Sequence, residues 1–201
     1  MNASDHKVFL IAGLGNPGLR YKNTRHNIGS MVLQRWAKLL DISLSSRAFS
    51  AKGGRARVLE QEIILLCPQT YMNESGRSVR ACAEYYRIEP EDIVVVHDDL
   101  DLDLGRIKVV KNGGSGGHKG VLSVFQYLRT RAFNRVKIGV GRPRYTEFVD
   151  DFVLSPFYKD DEAVVDKVIQ GAVKACELFV GQGLVSAMNL TNRQNFADKE
   201  V

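Results

Sequence analysis

The chain has 201 residues, of which 44% are hydrophobic and 25% charged, and such values are typical of a globular protein with one buried core. No apolar run approaches the roughly 20 residues that a membrane span needs, and the polar start from Met1 to Lys7 matches neither a secretory signal nor a transit peptide. The net charge is only +5. The length, composition and polar start predict one domain over residues 1–201, without a membrane segment, in a protein that stays in the cytoplasm.

Apolar periodicity predicts strands and helices that alternate along the chain. A buried strand over Lys7–Leu14 precedes a helix over Ile28–Leu40, for which Thr24 is a candidate N-cap. The later predicted elements are a hairpin of Ala56–Leu59 and Ile63–Leu66 turned around Glu60–Glu62, a helix over Ser75–Arg87, strands over Asp92–His97 and Gly105–Lys111, a helix from His118 to Thr130, a strand over Arg135–Gly141, and helices over Glu162–Val180 and Val185–Phe196. This alternation predicts a single α/β layer fold with a mostly parallel sheet.

Ligands of such sheets bind at the carboxyl ends of the strands, which directs attention to the loops after Leu14, His97 and Lys111. The charge distribution points to the same part of the chain. Residues 104–146 contain no Asp or Glu but ten lysines and arginines, interleaved with aromatic residues. Such a block suits contact with a phosphate backbone, although an unengaged basic surface fits the pattern equally well.

The three cysteines, Cys67, Cys82 and Cys176, are widely spaced and lie in apolar stretches. Their spacing matches no metal site, and an odd count argues against a disulfide framework. We therefore expect reduced thiols in the core. No cluster of carboxylates or histidines suggests a metal elsewhere in the sequence.

Two short motifs match cofactor patterns only in part. Gly13-Leu-Gly-Asn-Pro-Gly18 follows a strand as a dinucleotide-binding loop does, but a polar stretch replaces the helix that should open there. Asp99-Leu-Asp-Leu-Asp103 resembles the start of a calcium loop, but its twelfth position is Val110 instead of glutamate. The sequence therefore predicts no nucleotide cofactor and no calcium.

Ser115 lies in Gly113-Gly-Ser-Gly-Gly117, which matches the nucleophile elbow of serine esterases between a strand and a helix. That fold supplies an acid and then a histidine later in the chain, whereas the only later histidine here is His118, with no acid between. A serine esterase stays open as an alternative.

Three of the four histidines fall at the predicted functional edge; the fourth, His6, lies in the amino-terminal tail. His26 is at a helix start, His97 ends a buried strand, and His118 opens a helix after the glycine loop. A histidine that serves as a general base is usually held in one tautomer by a carboxylate, and Asp98 is placed for that role. For His97 a hydrogen-bonded structural role is expected.

Amide and backbone groups near these histidines could bind a carbonyl. Asn16, Asn27 and Asn73 have no evident structural need, although helix capping is an equally good explanation of Asn73. As a functional group, Asn73 could donate a hydrogen bond to a carbonyl or to the oxyanion formed from it. Gly116 and Gly117 would present backbone N–H groups at a helix N-terminus.

Five motifs occur in an order that resembles the bacterial-type peptidyl-tRNA hydrolases: Gly13-Leu-Gly-Asn-Pro-Gly18, Thr24-Arg-His-Asn27, Tyr71-Met-Asn73, Val96-His-Asp-Asp-Leu-Asp101 and Gly113-Gly-Ser-Gly-Gly-His118. The resemblance extends from Phe9 to about Asn195. It implies a monomeric α/β domain, a twisted mixed sheet flanked by helices on both faces, and hydrolysis of peptidyl-tRNA without metal or other cofactor. The partner would be the acceptor stem and 3′ end of the tRNA.

The resemblance also implies roles for individual residues. His26 would be the catalytic base with Asp98 as its partner, and Asn16 would help distinguish an acylated from a free α-amino group. The substrate cleft would be lined by Tyr21, Tyr71, Met72, Asn73, His118 and the glycine loop with Gly116. Water would attack the ester directly. A protein that binds RNA without catalysis, on the same fold, is the other alternative to be tested.

The sequence departs from the family at Lys119, where an asparagine is common. A cation there is expected to pair with a phosphate, with Asp98 or with Asp99. Contacts to tRNA phosphates are expected from Lys137 and from either Lys108 or Lys111, between which the sequence does not choose.

Overall fold

The structure, a computed structural model, describes residues 7–197; the sequence expectations for residues 1–6, which include His6, and for residues 198–201 lie outside it. Strands and helices alternate as predicted. Within the described range the strands are β1 (Val8–Gly13), β2 (Ala51–Val58), β3 (Gln61–Pro68), β4 (Ile93–Asp99), β5 (Ile107–Lys111) and β6 (Asn134–Gly139). The helices are α1 (Ile28–Leu39), α2 (Ser75–Tyr86), α3 (Lys119–Leu128), α4 (Val149–Val153) and α5 (Glu162–Thr191).

The six strands form one mixed sheet in the order β2-β3-β1-β4-β6-β5. The four central strands are parallel, and β2 and β5 pair antiparallel to them at the two edges. The α/β fold with a mostly parallel sheet is therefore confirmed. Because β1 and β4 are neighbours, with Gly13 opposite Val96, the loops that follow them start side by side.

Helices cover both faces of the sheet, which accounts for two apolar cores. On one face α1 and α5 bury Trp36 and Val168 against the strands. On the other face α2 and α3 bury Val79 and Val124. By length and composition, the segment from Lys159 to Thr191 would suffice to cross a membrane. Its apolar residues instead pack against β5 and α1, as those of a core helix do.

All three cysteines are free and buried, as the sequence predicts. Burial disfavours the thiolate and raises the pKa of Cys67 to about 11 and that of Cys82 to about 12. These thiols are therefore apolar core groups at neutral pH.

The predicted hairpin is right in place but wrong in extent. Its strands are longer than expected, and its turn is the pair Leu59–Glu60 instead of Glu60–Glu62. Both turn residues have positive φ angles, 48° and 65°, which match the twist of a two-residue hairpin turn. The first half of β2 contains Gly53 and Gly54, which have no side chains, so the sequence there shows no apolar alternation.

The carboxyl-terminal region differs from its prediction at two places. The two predicted helices form one helical element interrupted at Gly183, whose φ of 81° is not helical. This element ends at Thr191 instead of Phe196, because the chain then turns back and the Phe196 N–H donates to the Gly105 carbonyl. Helix α4 was not predicted, since five residues are too few to show a helical period.

Candidate active site

A cavity of about 640 Å³ opens at the carboxyl ends of β1 and β4, where the sequence predicts a site. Its walls come from the loop after β1, the turn that precedes α2, the end of β4, the glycine loop, the start of α3, and α4. The lining residues include Asn16, Tyr21, His26, Tyr71, Met72, Asn73, His97, Asp98, Asp99, Ser115, Gly116, Gly117, His118, Lys119, Val149, Asp150, Val153 and Leu154.

His26 is carried into this cavity by the 3₁₀ turn Arg25–Asn27, which leads directly into α1. The start of α1 presses against the sheet at Gly29. A Cβ atom built on Gly29 would lie 2.2 Å from the Val96 carbonyl oxygen and 2.7 Å from the Leu14 nitrogen. Only glycine permits this approach, and the approach brings the turn to the end of β4.

The loop after β1 is fixed to the same turn by two asparagines. The Asn16 N–H donates to Asn27 Oδ1 at 2.8 Å, and Asn27 Nδ2 donates back to the Asn16 carbonyl at 2.9 Å. The Asn16 Oδ1 atom accepts from the Met72 N–H at 2.8 Å. Its Nδ2 makes no hydrogen bond within residues 7–197, so this donor is available to a bound ligand.

Asp98 lies between two imidazole rings. His26 Nδ1 is 2.9 Å from Asp98 Oδ2, and His118 Nε2 is 2.9 Å from Asp98 Oδ1. His118 Nδ1 accepts from the N–H groups of Gly120 and Val121, so its proton is on Nε2 and is donated to Asp98. The His26 Nδ1–H also donates to Asp98, which leaves Nε2 of His26 with a free lone pair in a ring that lines the cavity.

Burial disfavours the charged form of the His26 ring. The negative charge of Asp98 and its hydrogen bond outweigh burial, and they raise the pKa of His26 above its ordinary value of 6.5. Burial of Asp98 acts in the opposite direction on its carboxyl, yet the charges and hydrogen bonds of the two histidines hold the pKa of Asp98 well below its usual range. Asp98 therefore stays ionised where His26 titrates.

His97 is fully buried beside this group. Its Nδ1–H donates to the Asp98 carbonyl at 2.6 Å, and its ring packs edge-on against His118 with the centroids 4.8 Å apart. Burial and the nearby His118 lower the pKa of His97 well below 6.5, so the ring is neutral. These contacts fit the structural role expected for His97.

Asn73 lies in the cavity wall and does not cap a helix. The 3₁₀ turn Met72–Glu74 contains it, and Glu74 is the residue that precedes α2. The exposed side chain of Asn73 makes no hydrogen bond in the described part of the chain. The capping explanation is therefore wrong, and the amide is free to meet a ligand.

The glycine loop reaches the cavity by a route that the sequence did not predict. Because β5 is antiparallel, Lys111 lies opposite Asn134, at the amino end of β6, and the loop starts at the edge of the sheet away from the site. Arg135 supports the loop from below, with Nη1 2.8 Å from the Gly114 carbonyl and Nη2 on the Asn112 carbonyl. Burial lowers the pKa of Arg135, and the charge of Asp99 offsets part of that shift.

Ser115 lines the cavity, but its surroundings are not those of a nucleophile. Within residues 7–197 its hydroxyl makes no hydrogen bond to an imidazole, and both nitrogens of His118 are already engaged. A serine nucleophile requires a base within hydrogen-bond reach, and within residues 7–197 no base is hydrogen-bonded to Ser115.

Lys119 pairs with Asp150 of α4, at 3.3 Å between Nζ and Oδ2, and not with Asp98 or Asp99 as considered from the sequence. Asp98 is occupied by the two histidines, and Asp99 pairs with Lys137. Both members of the Lys119–Asp150 pair are exposed, and their charges act on the pKa of His26 in opposite directions.

Much of the basic segment 104–146 is engaged within the chain. The pairs are Lys137 with Asp99, Lys119 with Asp150, Arg142 with Asp101, and Arg144 with Asp160 and Asp161. The block is therefore less free than its sequence indicates.

The strand register separates the two candidate lysines of β5. Lys108 lies opposite Lys137, which lies opposite His97, so these three residues share one face of the sheet. Lys111 is three residues further along β5, and the alternation of side chains turns it to the face that α5 covers. Of the two, Lys108 lies nearer the carboxyl end of β6, whereas Lys111 lies opposite its first residue, Asn134.

His26, Asp98 and His118 offer ring nitrogens and carboxylate oxygens within 4.8 Å of one another, a set that could also ligate a metal ion. The hydrogen bonds already account for every ring nitrogen of this set except Nε2 of His26. Apart from Nε2 of His26, hydrogen bonds therefore occupy the ring nitrogens of this set without a metal ion.

Comparison with known proteins agrees with this architecture. The sequence model of the peptidyl-tRNA hydrolase family matches residues 10–199. A peptidyl-tRNA hydrolase of Symbiobacterium thermophilum is 47% identical over 91% of this chain and 98% of the relative, and that of Bacillus subtilis is 40% identical over 92% and 98%. The crystal structure of the Acinetobacter baumannii peptidyl-tRNA hydrolase superposes with a TM-score of 0.87 at 36% identity, covering 96% of this chain and 98% of that one. The chain belongs to the peptidyl-tRNA hydrolase family.

Proposed function

We propose that this chain hydrolyses the ester bond between a peptide and the 3′ ribose of tRNA, with His26 as the general base. The observation that carries the proposal is the direction of the His26 ring. Nδ1 is committed to the buried, ionised Asp98, and Nε2 keeps a free lone pair in a ring that lines the cavity. A base held in one tautomer by a carboxylate is suited to taking a proton from water.

In the proposed reaction, His26 Nε2 takes a proton from a water molecule as its oxygen bonds to the ester carbonyl carbon. The oxyanion of the tetrahedral intermediate accepts hydrogen bonds from the Asn73 amide and from backbone N–H groups of the glycine loop. When the bond from carbon to the ribose oxygen breaks, the His26 imidazolium returns its proton to that oxygen. The products are a carboxylic acid and a free tRNA 3′ end.

Asp98 supports the reaction by stabilising the imidazolium formed midway, and His118 holds the carboxylate in place. Asn16, whose Nδ2 has no partner among residues 7–197, donates to a carbonyl of the peptide and so distinguishes a blocked α-amino group from a free one. The side chains of Tyr21, Tyr71 and Met72, with Gly116, line the cleft around the substrate. No metal or other cofactor takes part in this scheme.

The tRNA contacts proposed are Lys108 and Lys137, which lie opposite each other and beside the cavity-lining His97, and Lys119, which itself lines the cavity. Lys137 and Lys119 would exchange a carboxylate partner for a phosphate of the acceptor stem or 3′ end. Lys111 faces the other side of the sheet and is left out. We further propose that the chain, residues 1–201, forms one domain and acts as a cytoplasmic monomer.

The test compares two substrates, N-acetyl-aminoacyl-tRNA and free aminoacyl-tRNA, with wild type and Ser115→Ala. We expect the blocked substrate to be cleaved much faster by both proteins, with affinity that falls steeply as salt increases. Loss of activity in Ser115→Ala would establish a serine esterase instead. Binding of tRNA without cleavage of either substrate would establish an RNA-binding protein without catalysis.

A matched variant tests the discrimination itself. Asn16→Asp keeps the size of the side chain and its Oδ1 acceptor but replaces the free Nδ2 donor with a second acceptor. We expect the preference for the blocked substrate to fall about tenfold, the effect of one lost hydrogen bond of about 1.5 kcal/mol. An unchanged preference would remove Asn16 from substrate recognition.

A further inference from the structure

Arg25, the residue before His26, is a buried cation for which the reaction has no use. Only 1% of its surface is exposed. Its Nη1 donates to the Pro156 carbonyl at 2.6 Å and to Ser155 Oγ at 2.7 Å, and lies 3.2 Å from the Phe152 carbonyl. These acceptors all belong to the end of α4 and the segment that follows it. One guanidinium therefore joins the turn that carries the base to a distant part of the chain.

Other contacts strengthen this connection. The guanidinium carbon lies 3.8 Å from the centroid of the Phe152 ring and 4.5 Å from that of Tyr158, within the range of cation–π attraction. The Arg25 N–H donates to the Ser155 carbonyl at 3.1 Å, and Thr24 forms a β-bridge with Pro156. Backbone and side chain thus hold the same segment.

The segment held by Arg25 is a wall of the catalytic cavity. Val149, Asp150, Val153 and Leu154, all of α4 or directly after it, line the cavity together with His26. Helix α4 has five residues and no side-chain cap, so it is too short to be stable without tertiary contacts. Its position relative to the base therefore depends on contacts such as those of Arg25.

Packing alone would not require a charged side chain at Arg25. Burial lowers the pKa of Arg25, while the nearby Tyr158, Asp161 and Glu147 act to raise it. A buried ion pays a desolvation penalty that an apolar side chain of similar length avoids. Two of its nitrogens, Nε and Nη2, have no hydrogen-bond partner within residues 7–197. A methionine would fill the same space at lower cost if filling were the only requirement.

We propose that Arg25 is a positioning residue that fixes the α4 wall of the cleft and the turn bearing His26 as one unit. The guanidinium sets both the width of the cleft and the direction of the His26 ring toward the bound ester. This role rests on the proposed function of His26 as the base. It is exerted through other groups, since Arg25 itself does not line the cavity.

The test measures kcat, KM and the pH profile of kcat/KM for Arg25→Met and Arg25→Lys with N-acetyl-aminoacyl-tRNA. Arg25→Met should lose about 10²-fold in kcat/KM, because a misplacement of about 1 Å has that cost. Its KM should rise, and the acid-side midpoint should move to lower pH as the ring loses its alignment with Asp98. Arg25→Lys keeps the charge but not the planar stacking, and should recover part of the loss.

Arg35→Met is the matched control, since Arg35 pairs with Asp166 between α1 and α5, away from the cavity. It should change kcat/KM by less than about twofold. Ser155→Ala removes one acceptor of Arg25 without touching the arginine, and should show a smaller change of the same kind. This variant and Arg25→Lys decide the matter if Arg25→Met does not fold.

Wild-type kcat, KM and midpoint in folded Arg25 variants and in Ser155→Ala would overturn the inference. An intermediate result is also decisive: a lower yield of folded protein with unchanged kinetic constants per folded molecule would make Arg25 purely structural. His26→Ala, measured alongside, separates the two proposals. If His26→Ala keeps its rate, the proposed base is wrong; if only the Arg25 variants keep theirs, the proposed function stands.

Discussion

Replacing Asp98 with asparagine tests the proposed pairing of base and carboxylate. Asp98 is 2% exposed, and its carboxylate accepts hydrogen bonds from His26 and His118. A hydrogen bond to a charged group contributes about 1.5–3 kcal/mol, and the bond to His26 strengthens when the ring becomes an imidazolium. Since about 1.4 kcal/mol corresponds to a factor of ten, Asp98→Asn should lower kcat/KM by about 10- to 100-fold.

The pH profile of kcat/KM is an independent test of the pairing between His26 and Asp98. The raised pKa of His26 means that the wild-type base becomes protonated, and therefore inactive, as the pH falls through a value above 6.5. Asp98 is the cause of that rise, so its charge-neutral replacement should move the acid-side midpoint to lower pH even as the maximal rate falls. The assay is kcat/KM for N-acetyl-aminoacyl-tRNA over a range of pH on both sides of neutrality.

Asp101→Asn is the control, because Asp101 is two residues after β4 and pairs at the surface with Arg142. It should leave rate and midpoint unchanged, since an exposed ion pair contributes about 0–1 kcal/mol. If Asp98→Asn behaved like Asp101→Asn, with neither rate nor midpoint altered, the carboxylate would have no part in tuning the base.

Three further predictions follow from the same structure. His118→Ala should lower kcat about tenfold and the free energy of unfolding by about 1 kcal/mol, because Asp98 loses a donor and α3 its cap; an unchanged rate and thermal midpoint would contradict both roles. Lys108→Met should weaken tRNA binding and reduce the slope of log affinity against log salt by about one, whereas Lys111→Met should not; equal effects would contradict the assignment by sheet face. Gly29→Ala should cost about 1–3 kcal/mol of stability in chemical denaturation, since its Cβ would meet the Val96 carbonyl at 2.2 Å, and a neutral substitution would show that α1 can shift.

The sequence predicted the fold well because its evidence is local. The buried strand Ile93–Asp99 begins with a continuous apolar run and helix Ile28–Leu39 has a clear helical period, and alternation of the two types implies a parallel sheet. The strand-end rule then directed attention to the loop after β1, which leads to His26, and to the end of the strand that carries Asp98. What the sequence missed depends on pairing between distant segments: the direction of β5, and hence the route of the glycine loop, is set by its register with β6.

The candidate site was predicted in its parts and in one of its connections. The sequence analysis paired His26 with Asp98, whereas the second hydrogen bond of that carboxylate, to His118, is visible only in the structure. The same holds for Arg135 and Arg25, which look like ordinary basic residues in the sequence but are buried and hold the glycine loop and α4. A partner for Lys119 could not be predicted, since it lies on the short helix α4 that has no sequence signal.

The single-turnover rate of His26→Ala on N-acetyl-aminoacyl-tRNA is the most direct measurement of whether one imidazole activates the attacking water. We expect a fall of about 10²- to 10⁴-fold with the fold retained, as judged by circular dichroism and thermal unfolding. A loss smaller than about tenfold in a folded protein would contradict general-base catalysis by this residue.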